Sequence, residues 1–244
     1  MKFVGVDFGW VSGESGLCCL QWQNNQLNLI SITTKLEIAE VLEWIDQWVS
    51  PIESAVIGVD APTIIPNQTG MRLPDKLTHK HFGKYHAGCY PASLSRPYAS
   101  RTVYFGNKLT QKGFDHAPQI IPQKLGRYQI EVFPHPAIVH LFGLDKILKY
   151  KKGKLAEKAV ELKRLRSYIV SILPQLEPRL ALKEDLLLPS IPDKVTGKTL
   201  KAIEDRLDSL ICAYISAYWW YWGEAKNLVL GDETTGYIVV PNRC

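Results

Sequence analysis

The first ten residues contain the feature that most constrains this chain, a short apolar run that ends in an acid. Residues 2–10 read KFVGVDFGW, in which Phe3, Val4 and Val6 have the composition of a buried strand and Asp7 follows at its end. A carboxylate in that position is costly unless a metal, a cation or hydrogen bonds satisfy it. The fold should therefore bring other chemical groups to this strand end.

Two later strand patterns also carry acids. Residues 55–60 (AVIGVD) form an apolar strand that ends in Asp60, and Glu131 lies in the strand pattern of residues 128–133, facing away from its apolar neighbours. If the first and fourth strands are parallel neighbours, Asp7 and Asp60 converge at one edge of the sheet. Taken singly, Asp60 and Glu131 are explained equally well as turn or capping residues.

Two further acids lie in the longest helical pattern, residues 198–222. Asp205 and Asp208 are three residues apart, so they occupy neighbouring parts of the helix surface. Asp208 enters the part of the helix that is apolar on every side, which predicts burial. Asp205 lies farther round and is also explained as a solvated acid near a helix start. Converging carboxylates repel one another unless a divalent cation lies between them, and carboxylate oxygens suit Mg²⁺ or Mn²⁺.

Length and composition favour a single α/β domain over residues 1–244. The 244 residues are 46% hydrophobic and 22% charged, which is ordinary for a globular protein. The longest apolar run, residues 210–222, is too short to span a bilayer, and the N-terminal residues do not resemble a signal peptide. Five cysteines without a C-x-x-C pair predict free thiols and a cytoplasmic location.

Hydrophobic periodicity predicts the order of the elements. After the first strand, ending at Asp7, we expect strands at residues 17–22, 27–33, 55–59, 128–133, 228–230 and 237–240. We expect helices at residues 36–49, 73–82, 137–142, 155–172, 175–188 and 198–222.

Residues 62–127 break this pattern and form a predicted insertion after the fourth strand. The segment is rich in proline, holds four of the six histidines and has no long periodic run, so we expect a basic, largely irregular lobe. Residues 72–127 hold ten basic and two acidic residues, and residues 149–166 hold eight basic and two acidic residues. Such charge can simply solvate the surface, but two basic segments beside strand-end acids favour a polyanionic partner.

Several motifs, taken in order, resemble a known family. They are GVDFGW, GVDAP, EVFPHPAIVHLFG followed by YKKG, EDRLDSLICAYISA and GYIVVP. This set is similar to domain of unknown function 429, a family of predicted nucleases in the ribonuclease-H-like superfamily, and covers the chain from Lys2 to Pro241 apart from the insertion. The same segments are similar to Holliday-junction resolvases of the RuvC type.

The resemblance implies a fold and a chemistry. The fold is a ribonuclease-H-like mixed five-stranded sheet flanked by helices, and the reaction is phosphodiester hydrolysis assisted by two Mg²⁺ or Mn²⁺ ions. The implied metal ligands are Asp7, Asp60, Asp205 and Asp208, and the implied catalytic residues are Asp7, Asp60, Glu131 and Asp208. The resolvases have Glu where this chain has Asp60, while Glu131 matches the pattern of the unknown-function family.

The implied partner is DNA or RNA, held by its phosphates. Arg127, Lys151 and Lys152 flank the strand that bears Glu131 and are the nearest candidates in sequence for phosphate contacts.

Three alternatives stay open. Sugar kinases and actin-like ATPases also begin with a strand ending in G-x-D-x-G, but they need further glycine-rich loops, and this chain has no Gly-Gly pair. A nucleic-acid-binding protein with a degenerate site is the second alternative. The third concerns His79, His81, His86 and Cys89, whose spacing is conceivable for zinc but is better interpreted as surface histidines.

Overall fold

The computed structural model describes residues 1–182 and 188–242. Its strands, in chain order, are β1 (Lys2–Asp7), β2 (Ser15–Gln23), β3 (Gln26–Lys35), β4 (Ala55–Val59), β5 (Asp115–His116), β6 (Arg127–Glu131), β7 (Leu180–Ala181), β8 (Asn227–Asp232) and β9 (Gly236–Pro241). Its α-helices are α1 (Ile38–Trp48), α2 (Leu73–Phe82), α3 (Ala99–Gln111), α4 (Pro134–Leu141), α5 (Leu155–Ile172) and α6 (Gly197–Trp222).

The centre of the molecule is a mixed sheet in the order β5-β6-β4-β1-β2-β3-β7. Strand β2 is antiparallel to both of its neighbours, β1 and β3, whereas β4 and β6 run parallel to β1 on its other side. Strands β8 and β9 form a separate antiparallel hairpin. The carboxyl ends of β1, β4 and β6 therefore lie side by side at one edge of the sheet.

The two faces of the sheet have different partners. Phe3 and Val56 belong to the core that contains α4, α5 and α6, whereas Val4 and Ile57 belong to the core that contains α1 and α3. Because side chains alternate along a strand, Asp7 lies on the same face as Phe3, and Asp60 on the same face as Val56. Both acids are therefore on the face that packs against α6.

Helix α6 lies directly on this face because glycines leave room for its backbone. A Cβ atom added to Gly5 would lie 1.9 Å from the carbonyl oxygen of Ser209, and one added to Gly16 would lie 1.9 Å from that of Asp205. Gly58, which pairs with Gly5, makes a similar close approach farther along the helix. The glycines thus set the depth at which the acids of α6 meet the end of β1.

Most elements agree with the sequence prediction, and helices α2 and α5 have the predicted bounds. The predicted sheet of five strands is wrong in number, since the main sheet has seven strands. The additional strands, β5 and β7, have two residues each, too few to show alternation in the sequence. The predicted helix at residues 175–188 is also wrong where it can be tested, because residues 180 and 181 form β7. Residues 183–187 of that predicted helix lie outside the described residues.

The insertion is more regular than predicted. It contains α2, α3 and β5, and α3 places Phe105 and Leu109 in the same core as β1 and β4. The buried face of α3 also uses Ala99, Thr102 and Gly106, residues that do not stand out as an apolar stripe. Because that face contains small and polar residues, the sequence shows no apolar repeat at helical spacing there.

None of the helices in the described part of the chain combines the length and the apolar character needed to cross a membrane.

The contact between α6 and the sheet predicts that Gly5→Ala destabilises the fold. The new Cβ would meet helix backbone rather than a movable side chain, so the free energy of unfolding should fall by about 1–3 kcal/mol. Urea denaturation measures this change. Gly197→Ala is the control, because Gly197 is exposed at the first position of α6 with open space around it. Equal stability of the two variants would contradict the close contact.

Candidate functional site: a carboxylate cluster beneath a cleft

Asp7 and Asp60 lie next to each other at the ends of β1 and β4. Val6 pairs with Val59, and the backbone N–H of Asp60 donates to the carbonyl of Val6 at 2.9 Å, so the two acids occupy matching positions on adjacent strands. Asp7 is only 8% exposed. The convergence of these two acids, predicted if their strands were parallel neighbours, is present.

Asp205 and Asp208 join this pair from α6, and both are buried. The hydroxyl of Tyr150 donates to Oδ1 of Asp208 at 2.9 Å, and Nζ of Lys151 lies 2.7 Å from Oδ2 of the same carboxylate. The carboxyl group of Asp7 influences the pKa of Asp205, so these two acids lie close together. The explanation of Asp205 as a solvated acid near a helix start is therefore wrong.

Two lysines provide the positive charge of the cluster. Lys151 pairs with Asp208, while Nζ of Lys201 lies 2.6 Å from Asp205 and 2.8 Å from Glu204. The acids Asp7, Asp60, Glu204, Asp205 and Asp208 therefore share two ammonium groups. Negative charge exceeds positive charge when all five carboxyls are ionised.

The electrostatics of the strand acids reflect this excess. Burial raises the pKa of Asp7 well above its usual value; the charge of Lys151 opposes this effect and that of Asp208 adds to it. Burial likewise raises the pKa of Asp60 to about 7, against the opposing charge of Lys151. Burial also raises the pKa of Asp205, and the charge of Lys201 opposes this effect. These raised pKa values follow from the burial of several carboxyl groups beside only two lysines.

Glu131 points to the other face of the sheet. It pairs with Val59, which belongs to the core containing α1 and α3, and both of its oxygens accept hydrogen bonds from Arg72, at 2.8 and 2.6 Å. Burial raises the pKa of Glu131, and Arg72 opposes that increase. Glu131 lines the same cleft as Asp7 and Asp60, but both of its carboxylate oxygens are occupied by Arg72.

Arg72 holds the insertion to the sheet. Its five N–H groups donate to Glu131, to Asp75 and to the carbonyl of Ile64. The backbone N–H of Ala92 donates to the same Asp75 at 2.9 Å, which extends the network farther into the insertion. Because every guanidinium donor has a partner, this buried arginine is structural and has none left for a phosphate.

The three predicted phosphate-binding residues lie in different environments. Arg127 begins β6, at the end opposite Glu131, which is about 13 Å away for a five-residue strand. Its guanidinium donates to the carbonyls of Ser50, Glu53 and Lys112. Arg127 is therefore not brought to the cluster. Lys151 is part of the cluster, and Lys152 is exposed beside it.

The histidine-rich run of the insertion does not form a common site. His79, His81 and His86 are exposed, and Sγ of Cys89 lies near Asp75 instead. Across residues 1–182 and 188–242, no group of three or more His, Cys, Asp or Glu side chains has the arrangement of a ready-made metal site.

A cleft of about 670 Å³ opens above the carboxylates. Its floor includes Asp7, Asp60 and Asp205, together with Lys151 and Lys201. Its walls carry aromatic side chains from the β1–β2 loop, from the insertion and from the segment after β6, as well as one histidine. These are Phe8, Trp10, Tyr90, Tyr98, Phe133 and His135.

His135 is neutral at physiological pH. Burial lowers its pKa to about 4, and the charge of Lys151 acts in the same direction. Its ring lies 5.5 Å from that of Tyr150, the residue that donates to Asp208. An imidazole with so low a pKa is a weak base at neutral pH, so His135 contributes an uncharged polar ring to the cleft.

Sequence reasoning missed several residues of this site. Lys201 precedes Asp205 by four positions, a spacing that would have predicted their ion pair. Tyr150 and His135 lie in segments that carry the family resemblance, YKKG and EVFPHP, but a motif alone does not assign their contacts. The pairing of Arg72 with Glu131 spans 59 residues, and no local signal indicates it.

The donor set fits a divalent cation. Four aspartates meet beneath one cleft, and the two lysine ammonium groups occupy carboxylate oxygens that a cation would otherwise take. The oxygen-only chemistry is that of Mg²⁺ or Mn²⁺. An ion that took oxygens of Asp205 or Asp208 would compete with Lys201 or Lys151.

Comparison with known proteins gives a family but no assigned activity. No curated protein matches the chain. The model of a family described as "Protein of unknown function (DUF429)" matches residues 5–235, which include every acid of the cluster. The chain therefore belongs to the DUF429 family.

Proposed function

We propose that this protein is a metal-dependent nuclease with a ribonuclease-H-like core. The order β3-β2-β1-β4-β6, with the first three strands antiparallel and the last two parallel to β1, supports the proposed core. The observation that carries the proposed activity is the convergence of Asp7, Asp60, Asp205 and Asp208 under one cleft, with fewer lysines than acids. Excess buried negative charge of this kind favours divalent cations.

The four aspartates would hold the metal. Bound Mg²⁺ or Mn²⁺ would supply Lewis-acid stabilisation of a phosphoryl oxygen and a water of lowered pKa. Asp7 neighbours Asp60 on the adjacent strand and lies close to Asp205, so it would hold the metal together with these acids. Tyr150 fixes the orientation of Asp208 by its hydrogen bond. Glu131, predicted as a catalytic residue, would instead have a positioning role, because Arg72 occupies both of its oxygens.

Lys151 and Lys201 would change partners when metal binds. In the metal-free cluster both ammonium groups neutralise carboxylates at 2.6–2.8 Å. Both residues line the cleft, so a displaced ammonium group remains beside the position of a substrate phosphate. Lys151 would therefore contact a substrate phosphate, as the sequence predicts, and Lys201 would do the same. Lys152, which is exposed, would contact a phosphate farther from the cleft.

Cleavage of nucleic acid tests the proposal directly. With Mn²⁺, the protein should cleave single-stranded DNA or RNA, and Asp7→Asn or Asp205→Asn should reduce the rate at least about 100-fold, since metal stabilisation is worth several kcal/mol and each 1.36 kcal/mol is tenfold. Asp46→Asn is the control, because that acid is exposed and pairs with Lys112 away from the cleft. No cleavage of any nucleic acid, together with tight ATP binding, would favour the kinase-like alternative.

The raised pKa of Asp60 predicts how the metal-free protein responds to pH. The folded protein binds this proton more tightly than the unfolded chain does, because the pKa rises from 3.8 to about 7. The stabilisation is present below the unfolded pKa and is lost as pH increases through about 7. Urea denaturation in EDTA should give a lower free energy of unfolding at pH 8 than at pH 6. The difference should shrink in Asp60→Asn, and an unchanged difference would contradict the assignment.

Replacement of Lys151 tests whether its ammonium group competes with metal. Lys151→Met should destabilise the metal-free protein, because it leaves the buried Asp208 carboxylate without its ion pair. The same variant should show a larger increase in melting temperature with Mn²⁺ than the wild type, since the cluster is more negative. Lys152→Met is the control, as Lys152 is exposed. A smaller Mn²⁺ shift in Lys151→Met would mean that Lys151 assists metal binding.

A further inference from the structure

We infer that the aromatic wall of the cleft binds an unpaired nucleobase, so that the substrate is a single-stranded or extruded nucleotide. The inference deepens the proposed nuclease function and rests on it. Its starting point is that the carboxylates and the aromatic residues Trp10, Tyr90 and Tyr98 line the same cleft. Phosphate chemistry alone would not require three aromatic rings there.

Trp10 is held in place beside the carboxylates. Its indole N–H donates to the carbonyl oxygen of Asp60 at 2.8 Å, and its ring centre lies 4.6 Å from that of Tyr98. The hydroxyl of buried Tyr98 donates to the carbonyl of Pro91 at 2.7 Å. The aromatic surface is thus fixed to a residue of the carboxylate cluster by one hydrogen bond. A base stacked on this surface would place its own phosphate near the acids.

Tyr90 is the exposed part of the wall. Its side chain is 63% exposed, which is unusual for a large aromatic residue beside a cleft, and the guanidinium of Arg96 lies 5.6 Å from its ring centre. Exposed aromatic rings next to a cationic side chain are typical of proteins that stack the bases of single strands, because every base has a π-face. Arg96 can also contact a neighbouring phosphate.

The size of the cleft favours an unpaired base. At about 670 Å³ it is comparable to pockets that enclose small ligands rather than to a groove that holds a duplex. A base paired within a helix does not expose its face, so it would have to leave the stack to reach Trp10 or Tyr90. With its base on the aromatic wall, a nucleotide would reach the carboxylates at the cleft floor only if its sugar–phosphate backbone were extended or extruded from a helix.

Binding of three oligonucleotides tests the inference. Fluorescence anisotropy in Ca²⁺ would compare oligothymidylate, the same strand with abasic sites, and a blunt duplex. The wild type should bind oligothymidylate about tenfold or more tightly than the abasic strand, because stacking on an aromatic ring contributes to affinity for each base. It should also bind the duplex more weakly than oligothymidylate.

Two tyrosine variants locate the effect. Tyr90→Ala should abolish the preference for oligothymidylate over the abasic strand. Tyr104→Ala should preserve it, since Tyr104 is 51% exposed, has Lys108 at 5.3 Å from its ring and lies outside the cleft. Both tyrosines are exposed, so both variants should keep the melting temperature of the wild type.

The outcomes separate this inference from the proposed function. Metal-dependent cleavage with equal affinity for intact and abasic strands would overturn the base site and leave the nuclease standing. A base preference lost in Tyr90→Ala, without cleavage by the wild type, would support the base site and overturn the nuclease. Tight duplex binding, or equal losses in the two tyrosine variants, would overturn the base site.

Discussion

The site depends on the direct contact between the backbone of α6 and the sheet. Without side chains at Gly5 and Gly16, the helix lies close enough to the sheet to bring Asp205 beside Asp7. A Cβ at either position would meet the helix backbone, which cannot rotate aside as a side chain can. The helix position, and with it the carboxylate cluster, follows from two residues that carry no functional group.

The cluster in turn explains the charges around it. Burial would make isolated carboxylates very costly, and the fold reduces this cost with two lysines and a tyrosine hydroxyl. These contacts stabilise the metal-free protein, and they leave carboxylate oxygens that can bind a divalent cation. On the other face, Arg72 binds Glu131 and Asp75, which fixes the insertion over the cleft and carries the aromatic wall with it.

The sequence was sufficient for elements with a strong local pattern. Periodicity predicted β4 and α5 with their observed bounds, and it indicated that Glu131 faces away from Ile130 and Val132. It could not show which face of the sheet that is, because pairing of β6 with β4 is non-local. The convergence of the four aspartates was expected from motif order, whereas Lys201, Tyr150 and the Arg72 network depend on tertiary contacts. Helix α3 was missed because its buried face is small and partly polar.

A crystal of the protein soaked in Mn²⁺ and measured at the manganese absorption edge tests the central claim most directly. The account predicts anomalous density at the carboxylates of Asp7 and its neighbours Asp60, Asp205 or Asp208, with Lys151 or Lys201 displaced from its aspartate. Density elsewhere, or an intact set of lysine–aspartate pairs at saturating Mn²⁺, would contradict it. The acids would then form a closed structural network, and the nuclease proposal would lose its chemical basis.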